Sequence, residues 1–86
     1  MKLFFSKDFK KKAKKLTKKN TSLKKQFTKQ FKLFQENPNH PSLKLHQLKG
    51  KRSKQLAIWI KGNLRALCIK SRQGYIFINL ITHDQY

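Results

Sequence analysis

The chain has 86 residues, and its 22 lysines and arginines against three acidic residues give it a net charge of +19. A chain of this length buries only about 60% of the surface that it exposes when unfolded, so we expect one hydrophobic core and a single domain over residues 1–86. Self-repulsion at this charge opposes folding and predicts a polyanionic partner, either nucleic acid as the leading candidate or an acidic protein. A solvated lysine surface without any partner is the simpler alternative.

The cysteine content and the apolar runs predict a cytoplasmic protein. Cys68 is the one cysteine, so it cannot form an internal disulfide, and its apolar surroundings predict a buried thiol. The first apolar stretch, Leu3–Phe5, is too short for a secretory signal. No segment approaches the roughly 20 apolar residues of a membrane span, so we expect no membrane partner.

The first half of the chain predicts a short strand at Leu3–Phe5 followed by two helices. Ser6 is expected to cap the first helix and Ser22 the second, and Asn37–Pro38 is expected to end the second. Spacings of three and four residues between apolar positions are typical of one helix face. They occur in two sets: Phe9, Ala13 and Leu16, and then Leu23, Phe27, Phe31 and Phe34.

The second half predicts an antiparallel sheet, beginning with an alternating strand in LKLHQLKG (43–50). Three further strands follow, in QLAIWIK (55–61), LRALCIKS (64–71) and YIFINLI (75–81). Turns of two or three residues containing glycine join these three strands as antiparallel hairpins. The expected fold is α+β, with a two-helix hairpin packed on one face of a three- to four-stranded antiparallel sheet, and with a short N-terminal strand. Trp59 is expected in the core, and polar side chains on the other, free face.

The polar residues of the sheet half favour metal-independent cleavage of RNA over other chemistry. Three scattered histidines and one cysteine lack the spacing of a zinc site, and three glycines form no phosphate-binding loop. Attack of an RNA 2′-OH on its own phosphate needs only a base, an acid and cations. Candidates are Lys44 and His46 on the first long strand, Lys49 beside it, and Arg65 on the third, although an exposed strand residue is the simpler interpretation of His46 alone.

Three segments carry a resemblance to a known family: NPNHPSLKLHQLKG, NLRALC and INLITHDQY. Together they resemble the RelE/ParE toxin superfamily of bacterial type II toxin–antitoxin modules, with most similarity to the RelE/YafQ-type mRNA interferases. The resemblance extends over the whole chain. It implies a RelE-like fold and an endoribonuclease that cleaves mRNA in the A site of the 70S ribosome without metal or cofactor. It also implies an acidic antitoxin from the same operon as partner.

The same resemblance implies roles for individual residues. His46 and Lys49 match basic catalytic positions, Arg65 matches a strand arginine that supports phosphate charge, and His83 matches a C-terminal histidine with a proton-transfer role. Tyr86 resembles the final tyrosine of the family. Three further residues are expected to hold the RNA backbone by position and charge: Lys44, Lys51 and Arg52.

Two other functions remain open at this point. One is a ParE-like inhibitor of DNA gyrase with the same fold and no nuclease activity. The other is a nucleic-acid-binding protein without catalysis, whose affinity would fall steeply with salt.

Overall fold

The computed structural model describes residues 2–82, which form two helices on one face of a five-stranded sheet. The helices are α1 (Lys7–Thr17) and α2 (Thr21–Glu36). The strands are β1 (Lys2–Phe5), β2 (His46–Gln47), β3 (Gln55–Lys61), β4 (Leu64–Ser71) and β5 (Gly74–Thr82). Their order across the sheet is β1-β5-β4-β3-β2. The predicted α+β class is confirmed: β2 to β5 are antiparallel, and the short N-terminal strand β1 adds a parallel edge beside β5.

Side-chain oxygens cap both helices, one of them at a residue other than the predicted one. The Ser6 hydroxyl accepts a hydrogen bond from the backbone N–H of Phe9 at 3.1 Å, as predicted. The prediction of Ser22 for α2 is wrong, because Asn20 caps that helix by accepting from the N–H of Leu23 at 3.0 Å. Ser22 already lies in the first turn, where its hydroxyl accepts from Lys61 Nζ at 2.7 Å and ties α2 to the end of β3.

Phe77 on β5 is the centre of the core between the helices and the sheet. Its side chain is fully buried, and its ring centroid lies 4.9–5.8 Å from those of Phe5, Phe9, Phe31 and Phe34. These rings come from β1, α1 and α2, so one cluster joins three elements to the middle of the sheet. Burial fades along α1, and Leu16 in its last turn is 40% exposed, which corrects its predicted place in the apolar stripe.

A buried polar contact fixes α2 on the sheet. Gln30 is 1% exposed, and its amide Nε2 donates to the carbonyl oxygens of Trp59 at 2.9 Å and Ser42 at 3.3 Å. A buried amide without partners would cost about 1–3 kcal/mol, so these bonds specify how α2 sits over β3 and the turn before β2.

The face of the sheet turned away from the helices carries a second, smaller apolar cluster. It contains Leu48, Ala57, Leu67 and Ile81, with Ile78 packed against them. We call this side the open face. It is therefore apolar in its middle, and its polar side chains surround that cluster. None of the helices in residues 2–82 is long and apolar enough to cross a membrane.

Truncation of Phe77 is expected to remove much of the stability. Phe77→Ala should lower the free energy of unfolding by about 3–5 kcal/mol, because it deletes a buried ring in contact with four others. Phe4→Ala is the control, since Phe4 is 38% exposed on β1, and it should cost about 1 kcal/mol or less. Guanidinium unfolding followed by circular dichroism measures both, and equal effects would contradict the central role of Phe77.

Burial also predicts an inert thiol. Cys68 is fully buried, and desolvation raises its pKa from 9.0 to about 12. The folded state thus keeps the proton, and the associated stability is present below pH 9 and is lost as the pH rises toward 12. Alkylation of Cys68 by iodoacetamide at pH 8.5 should be at least about 100-fold slower in the native protein than in denaturant. Comparable rates in the two conditions would show that Cys68 is accessible.

Candidate functional site

Strand pairing places two of the candidate residues, His46 and Arg65, on the open face together with Trp59. Directly opposed residues of antiparallel strands project to the same side of a sheet. His46 pairs with Ala57, and Trp59 pairs with Arg65. Because Ala57 belongs to the apolar cluster of the open face and Trp59 lies two residues further along the same strand, all of these side chains share that face.

His46 is exposed on β2, and a backbone acceptor orients its ring. Its Nδ1 lies 3.0 Å from the carbonyl oxygen of Lys44. A carbonyl can only accept, so Nδ1 carries the hydrogen in this bond. In the neutral imidazole the basic nitrogen is then Nε2, on the other side of the ring.

Lys44 lies just before β2 in a left-handed conformation, with φ 49° and ψ 41°. Its backbone N–H closes the 3₁₀ turn Pro41–Leu43 by donating to Pro41, and its Nζ lies 5.2 Å from the centroid of the Trp59 ring. This distance is within the range of a cation–π contact. The predicted long strand over 43–50 is therefore wrong: the turned backbone at Lys44 and a second 3₁₀ turn at Gly50–Arg52 restrict it to His46–Gln47.

Trp59 is half-buried on the open face, which corrects its predicted place in the core. The alternation of β3 directs Ile58 and Ile60 into the core beneath the helices and leaves Trp59 on the other side. Its indole N–H donates to the carbonyl oxygen of Gly62 at 2.7 Å. Gly62 adopts φ +56° in the turn between β3 and β4, a conformation that glycine takes without steric cost.

Arg65 on β4 uses the same carbonyl. One of its terminal nitrogens donates to the carbonyl oxygens of Gly62 at 3.2 Å and Leu64 at 3.3 Å. Among residues 2–82, the guanidinium is thus held toward the turn by neutral acceptors. An anion could replace these acceptors with stronger, charge-assisted bonds.

A cavity of about 400 Å³ lies beside His46. Its lining comes from His46, Gln47, Leu48, Lys49 and Arg52. Two hydrogen bonds hold the loop between β2 and β3 beside this cavity. The backbone N–H of Leu48 donates to the carbonyl oxygen of Gln55 at 3.0 Å, and the side-chain amide of Gln47 donates to the carbonyl oxygen of Ser53. Lys51 is exposed in the same 3₁₀ turn as Arg52 and does not line the cavity.

The sequence candidates therefore form two neighbouring groups on the open face, one around the cavity and one around Trp59. The backbones of His46 and Arg65 are two strand spacings apart, which is about 10 Å across the sheet. The sequence prediction missed Trp59 as a member of the second group. Strand alternation could have found it, because Trp59 lies between Ile58 and Ile60 in QLAIWIK and must point to the opposite face from them. His83 and Tyr86 lie outside the described residues.

No group of three histidine, cysteine, aspartate or glutamate side chains within residues 2–82 could hold a metal ion. The polar groups of the open face are instead cationic or neutral donors, namely ammonium, guanidinium, imidazole and indole. Such groups bind anions, and phosphate above all.

Comparison with known proteins gives structural matches alone. Neither the models of protein families nor the curated protein sequences match this chain. The YoeB/ParE toxin from Agrobacterium tumefaciens superposes with a TM-score of 0.80 at 16% identity, covering 96% of this chain and 99% of that one. A copper-bound mutant toxin from Helicobacter pylori gives a TM-score of 0.74 at 24% identity, covering 99% and 97%.

A third match comes from the E. coli DinJ–YafQ toxin–antitoxin complex, with a TM-score of 0.74 at 16% identity, covering 98% of this chain and 93% of that one. All three matches span nearly the full length of both chains. The resemblance read from the sequence is thereby confirmed for the fold: this chain has the fold of the RelE/ParE-type toxins.

Proposed function

We propose that this protein is the toxin of a type II toxin–antitoxin module and cleaves mRNA as a metal-independent endoribonuclease. The observation that carries the proposal is the presence of His46, Arg65 and Lys44 on one face of the sheet, beside a cavity lined by Lys49 and Arg52. The shared fold of the toxins YafQ and YoeB/ParE supports it.

The reaction we propose is attack of a 2′-oxygen on the adjacent phosphorus. A base takes the 2′-OH proton, the new P–O bond forms a cyclic phosphate, and the bond to the 5′-oxygen breaks as an acid protonates that oxygen. The negative charge that develops on the phosphorane is stabilised by cations held in place before the reaction. Side chains supply every one of these functions, so the scheme needs no metal.

His46 is our candidate base, because the bond from its Nδ1 to Lys44 leaves Nε2 as the basic nitrogen. Arg65 is our candidate for charge stabilisation, by exchanging the carbonyls of Gly62 and Leu64 for phosphate oxygens. Lys49 contributes charge from the wall of the cavity. His83 is the candidate acid, and Tyr86, three residues later in the sequence, is a further candidate, both on the resemblance alone.

The substrate strand is proposed to run along the open face. Lys44, Lys51 and Arg52 would hold its phosphates, and the A site of the 70S ribosome would present the mRNA. The contact between the Lys44 ammonium and the Trp59 ring is weak, so the ammonium could move to a phosphate of the RNA. The half-buried ring could then stack on a base.

We propose an acidic antitoxin from the same operon as the protein partner. The toxin–antitoxin complex of the structural neighbour YafQ with DinJ supports this, and so does the charge of +19. An acidic chain would neutralise this charge and lower the self-repulsion of the free toxin.

Trp59, the sole tryptophan, makes binding to the open face directly measurable. A single-stranded RNA with 2′-O-methyl groups cannot be cleaved by this route, and its binding should change the Trp59 emission. Arg65→Gln should weaken that binding by at least about tenfold, because a charged hydrogen-bonded pair contributes about 1.5–3 kcal/mol. Arg72→Gln is the control of equal charge, at an exposed position between β4 and β5. Equal losses for the two variants would argue against Arg65 as a phosphate ligand.

Primer extension on mRNA in a translating extract tests the nuclease. The wild type should produce discrete cuts, and His46→Ala or His83→Ala should reduce the cleavage rate by about 100-fold or more, the typical contribution of a general acid or base. His40→Asn is the matched histidine control: His40 caps the 3₁₀ turn Pro41–Leu43 through Ser42, and asparagine can replace that cap. Intact mRNA with the wild type overturns the proposal, and inhibition of gyrase supercoiling in that case would identify a ParE-like toxin.

A further inference from the structure

The layer of helices carries more positive charge than the candidate site does. Twelve of the 22 basic residues fall between positions 7 and 32, and all twelve side chains are exposed. They are Lys7, Lys10, Lys11, Lys12, Lys14, Lys15, Lys18, Lys19, Lys24, Lys25, Lys29 and Lys32. The acidic residue within this span is Asp8, in the first turn of α1. The sheet lies between these lysines and the open face, so the nuclease proposal leaves them without a role.

The lysines of α1 form an ordered ridge. Lys7, Lys11, Lys14 and Lys18 follow one another at i, i+4, i+7 and i+11, which places them on one side of the helix, opposite the buried Phe9. The ridge is about 16 Å long. Residues three or four positions apart on a helix have Cβ atoms about 5–6 Å apart, so the four ammonium groups can contact successive phosphates of one nucleic-acid strand.

The ridge ends in a concave surface where α1 turns into α2. A depression of about 420 Å³ is lined by Lys14, Thr17, Lys18, Lys19, Thr21 and Lys24. Lys24 also lines a second depression of about 380 Å³ along α2, with Lys25. The Thr17 hydroxyl donates to the carbonyl of Ala13 at 2.9 Å, so the donors at this corner are mainly the four ammonium groups, with the hydroxyl of Thr21 beside them. We call the set Lys14, Lys18, Lys19 and Lys24 the lysine corner.

The chemistry of the corner favours a nucleic-acid backbone over a protein or a membrane. Protein interfaces have apolar centres that are depleted of charge. Here Leu16, at 40% exposure, is the one large hydrophobic side chain exposed on either helix. An amphipathic helix binds a membrane through its apolar face, but the apolar faces of α1 and α2 are buried on the sheet.

We propose that the lysine corner binds the sugar-phosphate backbone of double-helical RNA, independently of the open face. Within residues 7–32 all aromatic rings belong to the core, so this surface offers no platform on which unpaired bases could stack. It can read only the charge and shape of a double helix, whose bases stay paired, and we name RNA rather than DNA because this inference rests on the proposed RNA substrate. The protein thus has two RNA surfaces on opposite sides of the sheet, one for a structured RNA and one for a single strand.

A charge-matched pair of variants tests this surface. The first replaces Lys14, Lys18, Lys19 and Lys24 by glutamine. The second makes the same change at four exposed basic residues outside both surfaces: Lys2, Lys54, Lys70 and Arg72. Both variants lose four charges. Binding of a blunt 16-base-pair RNA duplex to the full chain is measured by fluorescence anisotropy over a range of salt concentrations, and circular dichroism checks the fold of each variant.

The corner variant should bind the duplex at least about tenfold more weakly than the wild type, and its salt slope should fall by up to about 4, because each lost phosphate contact removes about 0.9. The control variant should lose less than about threefold. Equal losses would show that net charge alone governs binding, and would overturn the proposal. Displacement of the duplex by polyglutamate of equal charge at equal concentration would also overturn it, in favour of an acidic protein.

An arginine variant and the absence of a cleavage step make the outcome of this binding assay interpretable. If the four glutamines prevent folding, replacement of the same lysines by arginine should preserve duplex binding, and its loss would contradict a backbone contact. The assay contains no cleavage step, so its failure leaves the proposed nuclease standing. Absence of mRNA cleavage likewise leaves the lysine corner intact.

Discussion

The cluster of phenylalanine rings around Phe77 is the constraint on which the rest of the structure depends. It occupies one face of the sheet and the inner sides of both helices, so it requires every lysine of α1 and α2 to point outward. Strand alternation then leaves the opposite face for His46, Trp59 and Arg65. One core therefore creates two cationic surfaces, one on the helices and one on the open face. The ring cluster and the sheet lie between them and set the distance that separates them.

The near absence of acids explains how the candidate site is held together. Residues 37–82 contain no aspartate or glutamate, and in the described part of the chain the cationic side chains of the site contact neutral partners. Arg65 donates to the carbonyls of Gly62 and Leu64, His46 to that of Lys44, and Lys44 lies over the Trp59 ring. Each of these contacts is weaker than a bond to phosphate. A bound polyanion would both replace them and relieve the repulsion among like charges, so binding of a polyanion would also raise the folding stability.

Much of the fold was predictable because local signals agreed with the tertiary packing. The apolar stripe of α2 and the glycine turns between β3, β4 and β5 each require only neighbouring residues to be interpreted. Two of the errors occurred where a turn or the packing of the helices on the sheet decided the outcome. Lys44 lies outside the strand because its backbone N–H closes the 3₁₀ turn Pro41–Leu43, and Trp59 faces away from the helices because Ile58 and Ile60 on either side of it are buried beneath them. The buried hydrogen bonds of Gln30 to Ser42 and Trp59 join residues up to 29 positions apart, so a local sequence pattern does not predict them.

The two cationic surfaces differ in what they can recognise, and that difference is why we propose a different kind of RNA for each. The open face combines charge with a cavity, an imidazole and an indole ring, so it can contact bases and a reacting phosphate. The lysine corner offers ammonium groups on a rigid helical frame, and its affinity must therefore be insensitive to sequence and sensitive to salt. The nuclease proposed above would meet a single-stranded substrate within a large structured RNA and would need both properties at once. A structured RNA held on the helices would leave the open face free to select its strand, because the two surfaces share no side chain.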